Sequence, residues 1–271
     1  MQKTVWGVTM DLFEYEGKAL LKYYGIPVPD GELVCAENST DITFPVVLKA
    51  QVLSGGRGKA GGVRICNNES DYSVNASDIL HLTIKGHKVH GLLAEEVMHA
   101  EKEFYISITL QGGAERPILI ASSRGGMDIE TVAKNSPEDI YKAEIEPFVG
   151  IKEYQLKLLA QKFQGVDYKE LETVVLKLYR AFTELNAVLV EINPLGLVNG
   201  KLIAMDAKVV LDDNAQKKMG GVFENIRSGR AKLKSYEEPK NDGTTITFVP
   251  LSGNIGLISD GAGTGMEREQ D

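Results

Sequence analysis

The sequence is short of several things, and each shortage narrows what the protein can be. It has 2 cysteines, Cys35 and Cys66, too few for a disulfide framework and not arranged as a C-x-x-C pair, so a reducing, cytoplasmic setting is expected. Its longest apolar stretches, such as Ala187–Val190 and Pro117–Ala121, fall far below the roughly 18 residues that a bilayer span needs, and no membrane partner is expected. Lys and Arg total 30 against 38 Asp and Glu, a formal net charge of −8. Without a broad basic field, nucleic acid is not an expected partner, and any bound anion must be met by a local cluster. Met1–Thr9 carries one lysine and a short apolar patch, too weak for export. Met10 is an equally good start, so residues 1–9 read as an N-terminal extension.

What is present is a globular composition: 271 residues, 43% hydrophobic and 25% charged, with a mean hydropathy of −0.14. That is enough chain for one large or two modest domains. Asp11 to Gly25 reads as a helix, with Asp11 as the cap, Leu12, Ala19, Leu20 and Tyr23 as its apolar stripe, and Gly25, Pro27 and Pro29 as the stop. Strands are expected at Pro45–Val52, Gly62–Cys66, Leu92–Val97, Phe104–Gln111 and Pro117–Ser123, with Glu69–Lys85 ambiguous and leaning to helix. Past Gly150 the period changes to that of helices, one marked by Leu156, Leu159, Ala160 and Phe163, a longer one by Leu171, Val174, Val175, Leu178, Phe182 and Leu185. A hairpin follows, Val188–Ile192 and Lys201–Ala207. Ala231–Gly243 then reads as a charged linker, and Thr245–Val249 and Asn254–Ser259 as the opening of a new strand system. Strands, then helices, then a hairpin argue for an α+β fold rather than a doubly wound sheet.

Gly55, Gly56, Gly58, Gly61 and Gly62 alternate with Arg57 and Lys59, directly after a strand that carries Lys49. Glycines let backbone N–H groups converge on an anion without interference from Cβ, and the cations add charge-assisted hydrogen bonds. The pattern is not a Walker loop, because a strand rather than a helix follows. The plain alternative is a flexible hairpin loop.

Asn199-Gly200 is the strongest short signal for a two-residue turn. A turn centred there pairs residues whose numbers sum to 399, which sets Asn193 opposite Asp206 and Glu191 opposite Lys208 on one face of the ribbon. An amide oxygen and a carboxylate side by side are an oxygen-ligand set for Mg²⁺, which completes its shell with water and phosphate. The plain alternative is a surface hairpin with a cross-strand Glu–Lys pair. The four histidines, His81, His87, His90 and His99, lie in polar segments and are not expected to be catalytic.

The stretches DLFEYEGKALLKYYGIPVP, VVLKAQVLSGGRGKAGG, LLAEEVMHAEKEFY, VEINPLG, LIAMDAK and GNIGLISDGAG, in that order, resemble the β subunits of succinyl-CoA synthetases and related nucleoside-diphosphate-forming acyl-CoA ligases. The resemblance runs from Met10 to Gly263. It implies an ATP-grasp fold of two α+β subdomains over residues 10–235, roughly 27–105 and 106–235, followed over 236–271 by a linker and the start of a flavodoxin-like α/β domain. It assigns Lys49, Gly56, Arg57 and Gly58 to nucleotide phosphate, and Glu95, Met98 and Glu103 to adenine and ribose. Asn193 and Asp206 match Mg²⁺ ligands, and Glu191 matches a carboxylate that supports a phosphohistidine. That histidine belongs to a partner α subunit; an acyl phosphate follows, and CoA attacks it. The implied substrates are ATP or GTP, a small dicarboxylate and CoA. Asp260 stands where most relatives carry Asn, near the phosphohistidine and the acid. Relatives continue further into the flavodoxin-like domain, so either a separate C-terminal β fragment is a candidate partner or the chain is a fragment. The rival readings are a non-catalytic nucleotide-binding or assembly subunit and an ATP-grasp ligase that phosphorylates a carboxylate directly.

Overall fold

The structure, a computed structural model, describes residues 9–34, 42–110, 116–212 and 228–233. Cys35, Asp260, the strands expected at 245–249 and 254–259, and the flavodoxin-like start all lie outside the described residues. The strands are β1 (Thr9–Asp11), β2 (Gly31–Val34), β3 (Val46–Ala50), β4 (Val63–Cys66), β5 (Thr83–Ile84), β6 (His87–Lys88), β7 (Leu92–Glu96), β8 (Lys102–Thr109), β9 (Ile118–Ser122), β10 (Ile140–Glu144), β11 (Ala187–Val198), β12 (Lys201–Ala204) and β13 (Lys208–Asp212). The helices are α1 (Glu14–Tyr23), α2 (Glu69–Leu80), α3 (Ile129–Asn135), α4 (Glu153–Ala160) and α5 (Tyr168–Glu184).

Two sheets organise the chain. The smaller has the order β2-β7-β3-β4, with every pair antiparallel. In β3, Val46, Leu48 and Ala50 are buried with Tyr72, Ala76 and Ile79 of α2, which leaves Val47 and Lys49 on the opposite face. Asn68 caps α2, its side chain accepting from the Asp71 N–H at 2.9 Å, and this resolves the ambiguous 69–85 stretch as a helix followed by a short hairpin.

The larger sheet runs β1-β13-β11-β8-β9-β10, with β12 also paired to β11. Phe104, Ile106 and Ile108 of β8 join Val190 and Ile192 of β11 beneath α5, whose Leu171, Val174, Val175, Leu178 and Phe182 recur at helical spacing. Asp167 caps α5, accepting from the N–H groups of Lys169 and Glu170 at 2.9 and 3.2 Å. The other face of the sheet carries Tyr105, Ser107 and Glu191. The chain crosses from the small sheet to the large one in residues 97–101.

Three local expectations are corrected. The first helix begins at Glu14 rather than Asp11, because Asp11 pairs with Val210 as the end of β1, and Glu16 instead accepts from the Phe13 N–H at 2.9 Å. Its buried stripe takes Leu21 in place of Tyr23, which is 62% exposed. The expected linker does not begin at Ala231: Ser228–Lys232 form a 3₁₀ helix, held by Arg230 donating to both carboxylate oxygens of Glu16 at 2.6 and 2.9 Å.

Candidate nucleotide site

The loop after β3 closes on itself through three of its carbonyls: Ala60 donates to Gly56 O and Arg57 O, Gly62 donates to Arg57 O, and Gly61 donates to Gly58 O. The N–H groups of residues 55–59 donate to no group among the described residues. Gly56 has a φ of +87°, which an L side chain rarely adopts. Gly58 has no such φ, and a Cβ built there meets nothing within 4 Å. Packing among the described residues therefore does not explain glycine at 58. The donor set fits an anion cradle.

Lys49 leaves β3 on the face opposite α2. Its ammonium donates to Met205 O at 2.5 Å and pairs with Glu95 at 2.7 Å and Glu14 at 3.4 Å. Lys18, one turn along α1 from Glu14, donates to both oxygens of Glu95 at 2.6 Å and lies 3.0 Å from Glu14. Arg57 donates through Nη1 to Glu14 and through Nη2 to Asp206 at 2.5 Å. Three cations thus converge on Glu14, which is 1% exposed. Burial alone would raise the Glu14 carboxyl, but Arg57, Lys18 and Lys49 overcome it and hold the carboxyl well below the usual range. Burial would likewise lower the Lys49 ammonium, yet Glu14, Glu95 and Asp206 hold it above its usual value. Lys49 and Arg57 therefore stay charged.

The hairpin keeps its expected register on both sides of a break. Leu195 pairs with Ala204, Val198 with Lys201 and Glu191 with Lys208. Asn193 and Asp206 fall in the gap, where β12 has ended at Ala204 and β13 has not begun, so they are not ladder partners. The physical reason is at Pro194, which lacks an N–H, and the pairing of β11 with β8 also shifts between Ile192 and Leu195. Freed from the ladder, each side chain finds other partners. Asn193 accepts from the Gly126 N–H at 2.7 Å and donates to Met127 O at 2.7 Å. Asp206 accepts from Arg57 and from the Ala207 N–H at 2.7 Å. An amide oxygen and a carboxylate suit Mg²⁺, a hard cation that takes one or two protein oxygens beside water and phosphate. Among the described residues no group of three or more His, Cys, Asp or Glu is placed to hold a metal, so a cation here would depend on phosphate and water for the rest of its shell.

The expected adenine and ribose residues are spread around this cluster. Glu95 is buried in the ion-pair network and borders a cavity of about 190 Å³ between α1 and the small sheet, lined also by Lys18, Lys22, Pro29 and Leu93. Met98 is half-buried after β7, and Glu103 is exposed at the start of β8. Gly125 and Gly126 press against Glu103 and Phe104, so that a Cβ at 125 would lie 2.5 Å from the Phe104 backbone. One loop thus touches both Glu103 and Asn193. Glu191 shows no ion pair to Lys208; it accepts a hydrogen bond from Tyr105 at 2.8 Å, and burial pushes its carboxyl up. Sequence reasoning missed Glu14, Lys18 and Tyr105. Glu14 and Lys18 carried a signal, an i,i+4 acid–base pair on a helix otherwise read for its apolar stripe.

Residues 11–197 match the ATP-grasp domain family, so the two sheets and the glycine loop belong to an ATP-grasp protein. The ADP-forming succinate–CoA ligase subunit beta of Methanocaldococcus jannaschii is 39% identical over 261 residues, covering 94% of this chain and 68% of that protein. The subunit of the same name from Aquifex aeolicus is 37% identical over 271 residues, covering 95% and 69%. The chain belongs to the family of succinate–CoA ligase beta subunits. Among solved structures, the dinucleotide forming acetyl-coenzyme A synthetase 1 of Ca. Korarchaeum cryptofilum superposes with a TM-score of 0.61 at 20% identity, over 74% of this chain and 93% of that one. ATP citrate lyase from Methanothrix soehngenii does so with a TM-score of 0.61 at 20% identity, over 89% and 58%. At these identities the likeness shows the fold alone.

Proposed function

We propose that the chain is the nucleotide-binding β portion of an acid–CoA ligase that uses ATP or GTP to phosphorylate a histidine on a partner α subunit. The phosphoryl group then passes to a small dicarboxylate as an acyl phosphate, which the CoA thiol attacks. Lys49, Arg57 and the N–H groups around Gly56 and Gly58 bind the phosphates, and Glu95, Met98 and Glu103 take the base and ribose. Asn193 and Asp206 would hold Mg²⁺, whose charge neutralises the phosphates during transfer. In the transfer, an imidazole nitrogen lone pair forms the N–P bond while the β–γ bridging oxygen leaves with its electron pair on the nucleoside diphosphate. The N–H on the other imidazole nitrogen is held by the Glu191 carboxylate. Asp260 would contribute to recognition of the acid.

The observation that carries this reading is the Arg57 guanidinium reaching from the glycine loop to Asp206. It brings a phosphate-directed cation and a metal-directed carboxylate to one point, with Lys49 beside them. The test is transfer of label from γ-labelled nucleotide to histidine with the α chain present. Label on the α chain is expected, and Asp206→Asn should abolish it while the fold is retained. Undiminished labelling in that variant would overturn the metal assignment. Hydroxylamine-trapped acyl phosphate made by this chain alone would favour direct phosphorylation of the acid.

A further inference from the structure

We infer that Tyr105 is a positioning residue for Glu191, fixing one carboxylate oxygen so that the other is presented to the imidazole of the phosphorylated histidine. The inference rests on the role proposed above for Glu191. Tyr105 lies on β8, two residues from Ser107, and Ser107 is the residue directly opposite Glu191 on β11. The three side chains share the sheet face that the hydrophobic core leaves free. Tyr105 Oη donates to Glu191 Oε2 at 2.8 Å and lies 3.0 Å from Ser107 Oγ. The phenol has a single proton, and the carboxylate is the stronger acceptor, so the serine hydroxyl turns its own proton toward the phenol oxygen. A buried chain of two hydroxyls thus ends on one oxygen of Glu191, with Tyr105 3% and Ser107 0% exposed.

Glu191 Oε1 accepts no hydrogen bond among the described residues. A carboxylate on a central strand with one oxygen pinned cannot rotate freely, and its free oxygen keeps a fixed direction. Hydrogen-bond direction matters to an N–H partner, since the interaction weakens steeply as the angle closes. Because Tyr105 packs into β8 and Glu191 belongs to β11, the sheet itself sets the aim. Neither Lys49 nor Arg57 touches this pair, so nucleotide binding should not depend on it.

The experiment compares Tyr105→Phe, Glu191→Gln and the double variant, using the full chain with the α chain, γ-labelled ATP and Mg²⁺. Tyr105→Phe keeps the buried ring and removes one hydroxyl. The phosphorylation rate constant should fall about tenfold while the KM for Mg-ATP stays unchanged. The double variant should be no slower than Glu191→Gln alone, because the hydroxyl acts only through that carboxylate. Losses that multiply in the double variant, or a wild-type rate in Tyr105→Phe beside a slow Glu191→Gln, would overturn the inference and leave the role of Glu191 standing. An undiminished rate in Glu191→Gln would instead remove the role of Glu191, and the inference with it.

Discussion

The Arg57 guanidinium and the Asp206 carboxylate, 149 residues apart in sequence, meet at 2.5 Å. Arg57 also donates to Glu14, so one side chain joins the glycine loop, the first helix and the β12–β13 connection. On the proposed function, a bound triphosphate would take the place of the carboxylate on Arg57 and release Asp206 toward a cation, which would couple nucleotide and Mg²⁺ binding through a single contact.

Arg57→Ala is expected to weaken Mg-ATP binding by about 10- to 100-fold, the range that loss of a charge-assisted hydrogen bond to phosphate gives. Lys49→Met should fall in the same range. Titration calorimetry measures both, and binding within twofold of wild type would remove these residues from the phosphate site.

Asp206→Asn keeps the shape of the side chain and a neutral acceptor for Arg57. The Mg²⁺ concentration giving half-maximal nucleotide binding should rise about tenfold or more, as loss of an anionic ligand would require. A variant with an unchanged Mg²⁺ requirement would assign the metal elsewhere.

Acid should unfold the chain partly through Glu14. Its folded pKa is depressed, so its contribution to stability is fully present above the ordinary carboxylate value of about 4.5 and is lost as the pH falls below that. Glu14→Gln should lower stability at pH 7 by about 3–5 kcal/mol, the cost of breaking a buried ion pair, and should flatten the pH dependence below 4.5. Urea midpoints at neutral and acid pH provide the comparison. A variant whose stability still falls as steeply in acid would place that proton uptake on other groups.

Two glycines separate packing from binding. Gly125→Ala puts a Cβ 2.5 Å from both Phe104 N and O, and should lower the melting temperature by several degrees. Gly58→Ala meets nothing within 4 Å and should leave the melting temperature nearly unchanged while weakening nucleotide binding. A Gly58→Ala protein that melts early, or binds ATP as well as wild type, would contradict the reading of that glycine.

The parts of the site legible in the sequence are those set by neighbours in the chain. The Asn199-Gly200 turn fixed a register that survives on both sides of the Pro194 break, so the backbone of Glu191 lies opposite Lys208 as expected. The glycine loop and Lys49 were visible because glycine spacing and strand position are local facts. The helix start was misread because an aspartate before a helical pattern looks like a cap, whereas Asp11 ends the edge strand β1 and pairs with Val210 of the neighbouring β13, far along the chain. Asn193 and Asp206 fall outside the ladder that the turn predicts, and their partners were not foreseeable from the ribbon alone.

By itself the sequence determined β3, β4, β7, β8 and β9, the helices α4 and α5 and the turn at Asn199-Gly200, because periodicity and turn chemistry act over a few residues. Only the tertiary structure decided that Glu14 gathers Lys18, Lys49 and Arg57, that Arg57 reaches Asp206, and that Tyr105 pins Glu191. Those contacts join charged and polar groups from separate elements, and their energies exist only once burial has removed the water that would otherwise satisfy each group alone.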